Sequence, residues 1–391
     1  MPIGVYVLAL AVFVVGTDKD LIVGVLPSIA SDMHVSVATA GQLATVFAVA
    51  YAFGAPVLAV VTSNVDRRRL LSWALAGFAV ANLVSATAPS YPLLLGSRVL
   101  AALTAALYTP AAMAAAARIA PPERTARALA VVTMGFSAAA ILGVPLGTLL
   151  AAAVGWRAAF VMISVLALVA TLGLFRGLGV IPRPGVIGLS ERVGVLRNPR
   201  VLRLLAVSAA TQCAGFTVLL YLGPLLAETA GITVVQLAAL LIVFGVAGLA
   251  GNAFAGRFTD RFGPERVLSV ALIWVTVALV AFTAIARSLP GAYVAVCVWA
   301  LAAWMVPVPQ QARILRLEPR ASAVAISLNS SAMHIGSAVA GGFGGVIVEK
   351  GHVTALPIAA AAASLLALAV LVADARLRRR AASIAAAGTV R

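Results

Sequence analysis

Asp18, Lys19 and Asp20 stand side by side in FVVGTDKDLIVGVLP, residues 13–27, inside an apolar run that covers about residues 4–28. Each such side chain costs about 2.5–3.5 kcal/mol at the centre of a membrane-crossing helix, so a chain that keeps three there uses them or does not cross lipid at that point. A carboxyl in low dielectric can pair with a cation and can exchange that cation for a proton. Arg98, in LLLGSRVLAALTAA, is a second charge inside an apolar run and needs such a partner. If an aspartate of the first run faces Arg98, protonating it frees the arginine, and a ligand can compete with the proton for the same acid. At about 100° per residue, Asp18 and Asp20 point about 200° apart. Asp20 shares a face with Phe13, Gly16, Thr17, Gly24 and Pro27, a small and polar stripe, whereas Asp18 sits with Ala11, Val14, Ile22 and Val25. The wheel therefore predicts Asp20 as the acid that faces the cavity and Arg98.

Other polar and aromatic residues also fall within apolar runs: Tyr51, Tyr108, Thr211, Gln212, Tyr221, Trp304, Gln310, Gln311, Asn329 and His334. Aromatics beside a few placed polar groups suit a small, moderately apolar organic ligand. Taken one at a time, each has helix packing as its alternative. His334 has the side chain that titrates near neutral pH, but a lone histidine is more often a packing residue.

The elements that must hold these residues follow from composition. Of 391 residues, 63% are hydrophobic and 10% charged, against about 25% charged in a soluble domain. No polar surface of that size covers such a core, so the solvent is lipid. Apolar runs occur at about 4–28, 38–61, 70–88, 92–117, 127–152, 157–179, 201–228, 234–257, 267–287, 291–314, 321–348 and 354–374. The chain is thus expected to be an all-α polytopic membrane protein of twelve transmembrane helices. Its expected parts are a six-helix bundle over 1–179, a linker over 180–200, a second bundle over 201–375 and a basic tail over 376–391. Of the 28 basic residues, 23 lie in alternate loops and the tail, and the opposite loops hold only Arg157, Arg287 and Lys350. That bias puts both termini and the linker in the cytoplasm. It also accounts for the net charge of +16 without a nucleic-acid partner, which would need a basic stripe with interleaved aromatics. The N-terminus lacks a basic region and a cleavage site, and reads as a retained first helix. Cys213 and Cys297 make no CxxC spacing, and no HExxH or GxSxG occurs. No metal or other cofactor is expected, and an enzyme is disfavoured.

The chain also repeats itself. VDRRRLL after the second run matches FTDRFGPERVL after the eighth, with Asp66 and Asp260 offset by 194; Gly147 and Gly341 share that offset, and Arg124 aligns with Arg320 at 196. Matched halves with the ligand site between them are a mark of secondary transporters.

These motifs resemble the major facilitator superfamily. GTDKDLIVGVLPSIASDMHVSVATAGQL is similar to the opening of its twelve-span bacterial drug:proton antiporters, in the branch of chloramphenicol, arabinose and purine efflux proteins. GVPLGTLLAAAVGWRAAF resembles that branch's helix-5 antiporter motif, and FTVLLYLGPLLAETAGIT, WALAAWMVPVPQQARIL and LNSSAMHIGSAVAGGFGG resemble its helices 7, 10 and 11. The resemblance implies two pseudo-symmetric bundles, with helices 1, 4, 7 and 10 lining the cavity. It implies a gating latch of Asp66, Arg67, Asp260, Arg261 and Arg266, although Thr62 and Arg69 stand where glycines are usual. It makes Gly143, Pro145 and Gly147 a close-packing, bent helix that goes with export. Arg98 matches a buried arginine of proton coupling. The family's usual acid in GTxEF falls on Lys19, so a base stands where the proton carrier is expected. Three readings remain: an aspartate has taken over coupling; Lys19 neutralises an aspartate as a structural pair; or coupling is lost or altered. The implied function is proton-coupled export of small amphipathic compounds by a monomer in the bacterial inner membrane. The alternative within transporters is export of a sugar, nucleoside or natural product without proton coupling.

Overall fold

Lipid offers backbone N–H and C=O groups no partner but each other, so apolar runs of this length fold as helices. The computed structural model describes residues 2–62, 64–121, 124–177, 197–317 and 322–388, and among these residues the regular structure is helical throughout. Span 1 is Ile3–Asp32, span 2 Val37–Val61, span 3 Arg67–Thr87, span 4 Tyr91–Ile119 and span 6 Trp156–Gly177. Span 8 is Val234–Phe262, span 9 Pro264–Ile285 and span 11 Ser322–Glu349; span 12 is Leu356–Gly388 behind a short 3₁₀ turn. Among the described residues, eleven spans are long and apolar enough to cross a membrane. Span 1 is the twelfth: it has 30 residues and falls outside that count because of Asp18, Lys19 and Asp20.

Spans 5, 7 and 10 are broken, and proline sets each break. Span 5 runs Thr125–Ala138, slips through a π turn at Ala139–Gly143 and resumes at Val144–Val154. Pro145 has no N–H to give the carbonyl four residues back, and its ring crowds that carbonyl, so the ladder loosens just ahead of it. Span 7 runs Pro199–Leu220 and Leu222–Ala230, interrupted at Tyr221, where Pro224 leaves the Leu220 carbonyl unmatched. Span 10 is Leu289–Trp304 and Pro307–Leu317, divided at Met305 and Val306 ahead of two prolines.

The spans form two six-helix bundles, and twelve crossings return the chain to the side on which it began. Across the bundles, span 2 packs on span 11 and span 5 on span 8. A plug closes the end far from the termini. The Tyr221 hydroxyl donates to the Gly341 carbonyl at 2.9 Å; a Cβ on Gly344 would stand 2.8 Å from the Tyr221 ring, and one on Gly345 3.1 Å from its hydroxyl. At Gly344 only glycine lets span 11 come this near, whereas at Gly345 a Cβ needs the Tyr221 side chain to give by only a few tenths of an ångström. One continuous core fills both bundles, and a smaller cluster of Val201, Leu204, Leu205, Ile314, Val324, Ala325 and Ala332 fills the terminal end of the second.

Most of the expected linker, residues 180–196, lies outside the described residues, as does Arg320. The backbone of span 12 stays helical to Gly388, through most of the expected tail, because this Ala- and Arg-rich continuation keeps high helix propensity.

Candidate functional site

Span 1 is held in place by span 5. A Cβ on Gly147 would lie 2.5 Å from Leu21, and one on Gly135 2.5 Å from the Ala9 carbonyl oxygen; Gly143 likewise admits Thr17. The small stripe of span 1 is therefore its packing face. That corrects the helical wheel in part: Gly16 and Gly24 meet span 5, not an aqueous cavity, although Asp20 of the same stripe does reach one. The face carrying Ala11, Val14, Ile22 and Val25 is buried, and it delivers Asp18 to Arg98 of span 4.

The Arg98 guanidinium donates from Nη1 to Asp18 Oδ1 at 2.7 Å and from Nη2 to the Asp18 carbonyl at 3.4 Å, and both side chains are 0% exposed. The Phe47 and Phe160 rings stand 4.8 and 5.6 Å from the guanidinium carbon, which adds cation–π attraction. Asp18 Oδ2 and Arg98 Nε have no hydrogen-bond partner. Asp18, not Asp20, is thus the counter-charge of Arg98. Span 4 stands behind span 1 instead of lining the cavity.

Asp20 turns the other way and opens, with Lys19, into a cavity between the bundles of about 220 Å³. Their side chains are 29% and 33% exposed, and Lys19 Nζ is 3.8 Å from Asp20 Oδ1, beyond hydrogen-bond range. The first bundle otherwise contributes apolar groups, Val23, Ala140 and Val144. Facing them are Thr211, Gln212, Trp304, Gln310, Gln311 and Asn329, all expected from the sequence, together with Phe216, Phe244, Trp299 and Met333, which were not. The rings brace one another: Phe244 lies 5.2 Å from Trp299 and 6.4 Å from Trp304, while Trp304 rests over Gly248, where a Cβ would be 2.6 Å away. Gln310 is tethered, donating to the Leu204 carbonyl at 2.7 Å and Ser208 Oγ at 3.0 Å. Arg313 donates to Gln310 Oε1 at 3.1 Å and to Asp374 Oδ2 at 3.2 Å, and Arg203 meets Asp374 Oδ1 at 2.8 Å. The two arginines, read from sequence as loop charges, serve this network at the floor of the second bundle.

Four expected ligand residues stand elsewhere. Tyr51 of span 2 stacks on His334 of span 11 with centroids 3.8 Å apart, a ring contact that joins the two bundles. Tyr108 is fully buried within the first bundle, and Tyr221 is the plug. In lipid, aromatic side chains serve packing as readily as ligands, and no sequence signal separates the two uses. The latch residues are apart as well. Asp66 accepts from the Arg69 N–H at 3.0 Å and caps span 3. Asp260, Arg261 and Arg266 are exposed. Among the described residues, neither they nor Asp66 and Arg67 form an ion pair. At the far end, by contrast, Tyr221 ties span 7 to span 11.

Two six-helix bundles with a polar-dotted cavity between them define a membrane transporter, not an enzyme. The family model of the Major Facilitator Superfamily matches residues 8–313 and 204–389. The chain is 34% identical over 346 residues to the uncharacterized MFS-type transporter YbcL of Bacillus subtilis (strain 168), covering 88% of this chain and 89% of that one. It is 36% identical over 275 residues to a chloramphenicol resistance protein of Streptomyces lividans, 69% of this chain and 70% of that one. A crystal structure of a D-xylose-proton symporter superposes with a TM-score of 0.76 over 94% of this chain and 96% of that one, at 17% identity. The chain belongs to the Major Facilitator Superfamily.

Proposed function

We propose that the protein exports small amphipathic compounds by alternating access, in exchange for protons, across the bacterial inner membrane with both termini in the cytoplasm. The observation that carries this reading is Asp20, a carboxylate on the wall of an aromatic cavity, not locked into a hydrogen bond. A ligand and a proton can each occupy that carboxylate, and mutual exclusion at one acid couples their movements. Asp18 is already committed to Arg98, and that pair fixes the rotation of span 1 so that Asp20 faces inward to the cavity. Similarity to a chloramphenicol resistance protein supports a drug-like ligand, and the alternate-loop arginines support the orientation. The protein works as a monomer in this reading, since one chain holds the whole cavity.

A second reading makes Asp18 the proton carrier, favoured by the unpartnered Oδ2: a proton there would release Arg98. Proteoliposomes with an imposed pH gradient test both, using chloramphenicol, a sugar and a nucleoside as probes. Gradient-driven movement of any probe by wild type supports export. No movement under any gradient removes the proposal.

A further inference from the structure

The charges of the cavity wall have an unusual arrangement. Lys19 and Asp20 are neighbours, partly exposed to the same space, and 3.8 Å apart. The remaining polar lining is uncharged amide and hydroxyl, chiefly Gln212, Gln311 and Asn329. An organic cation drawn to Asp20 would lie against the Lys19 ammonium, and an organic anion drawn to Lys19 would lie against the Asp20 carboxylate. Either would bring an unmatched charge into a low-dielectric space, which is costly. A molecule with both signs meets neither penalty: its ammonium takes Asp20, its acid group takes Lys19, and the site stays neutral. The opposite wall of Phe244, Trp299 and Trp304 then takes an apolar or aromatic body.

We propose that the cavity recognises a zwitterionic amphiphile, a primary amine and a carboxylate carried on one small apolar or aromatic body. This rests on the exchange reading above, in which ligand and proton compete for Asp20; the ligand's ammonium is the competitor. Lys19 and Asp20 are then specificity residues, one for each charge.

Quenching of the cavity tryptophans in purified, lipid-reconstituted protein tests it. The probes are L-phenylalanine, its amide (cation only), N-acetylphenylalanine (anion only) and N-acetylphenylalaninamide (neutral). Wild type is expected to bind the zwitterion at least about tenfold more tightly than each of the other three, about 1.4 kcal/mol. Lys19→Met should bring the zwitterion down to the level of the amide, and Asp20→Asn to that of the N-acetyl acid. Equal or tighter binding of any singly charged or neutral probe overturns the inference, as does failure of all four to bind. Chloramphenicol export under a pH gradient, measured in the same vesicles, separates the two claims. If it persists without zwitterion preference, only the ligand class is wrong. If the preference holds and no probe is moved, the transport reading is wrong.

Discussion

Arg98 lies where no water reaches it, so its charge is tolerable only while Asp18 faces it at 2.7 Å. Removing one member of such a pair leaves a bare charge in low dielectric and costs about 3–5 kcal/mol. Asp18→Asn should therefore lower the thermal unfolding temperature of the detergent-solubilised protein sharply, and Asp18→Asn with Arg98→Met should recover most of the loss. Asp20→Asn, which faces a cavity and has no close hydrogen bond, should stay within about 0.5 kcal/mol of wild type. Equal stability of the two single variants would show that the buried pair is not holding span 1. The sequence showed that three charges sit within one helix, and that Arg98 needs a partner. It could not show which aspartate supplies it, because small residues serve close helix contact and aqueous faces equally well. Here Gly16 and Gly24 mark contact with span 5, and the wheel turned by that stripe named the wrong aspartate for Arg98.

At the scale of elements, span 5 touches both bundles. One side of it grips span 1, and its π turn touches span 8, where a Cβ on Gly245 would lie 2.8 Å from Ile141. Pro145→Ala returns an N–H to the ladder and should let the turn at Ala139–Gly143 relax toward a regular helix. Hydrogen exchange over 136–147 should then fall while the unfolding temperature holds or rises, and turnover should drop because the helix no longer bends. Unchanged exchange would mean that the π turn has another cause. Gly135→Val presses on the Ala9 carbonyl, a backbone atom that cannot rotate away, and should destabilise by about 1–3 kcal/mol. Proline positions were legible in the sequence, and Pro145 was expected to bend its helix. The interruptions at Tyr221 and Met305 were not anticipated, since a single apolar run reads the same whether its helix is whole or broken.

For the whole molecule, Tyr221 ties span 7 to span 11 at the far end, and among the described residues no ion pair joins Asp66, Arg67, Asp260, Arg261 and Arg266 at the terminal end. The transport cycle requires the reverse arrangement in turn. A Cβ on Gly345 would stand 3.4 Å from Gln42 Nε2, so cysteines in place of Gln42 and Gly345, in a background without Cys213 and Cys297, should cross-link with a short reagent. Transport should then stop, and it should return when a cleavable linker is reduced. Continued transport in the cross-linked protein would remove the plug from the cycle. The twelve spans and the duplication were plain from apolar runs and from matched Asp66 and Asp260. The cavity was half legible: its amides were named, but its wall of Phe216, Phe244 and Trp299 was not, because the same residue types face lipid elsewhere, as Phe53 and Trp73 do.

The central claim is that Asp20 is shared by ligand and proton. Its most direct test is proton release on ligand addition, read with a pH-sensitive dye in weakly buffered detergent solution near the pH at which wild type responds most. L-phenylalanine is the probe, at a concentration that saturates each variant. Wild type and Asp18→Asn with Arg98→Met should release protons when the probe binds, and Asp20→Asn should bind the probe without releasing any. Proton release that survives in Asp20→Asn, and vanishes in the Asp18 variant, would contradict it and move coupling to the buried pair.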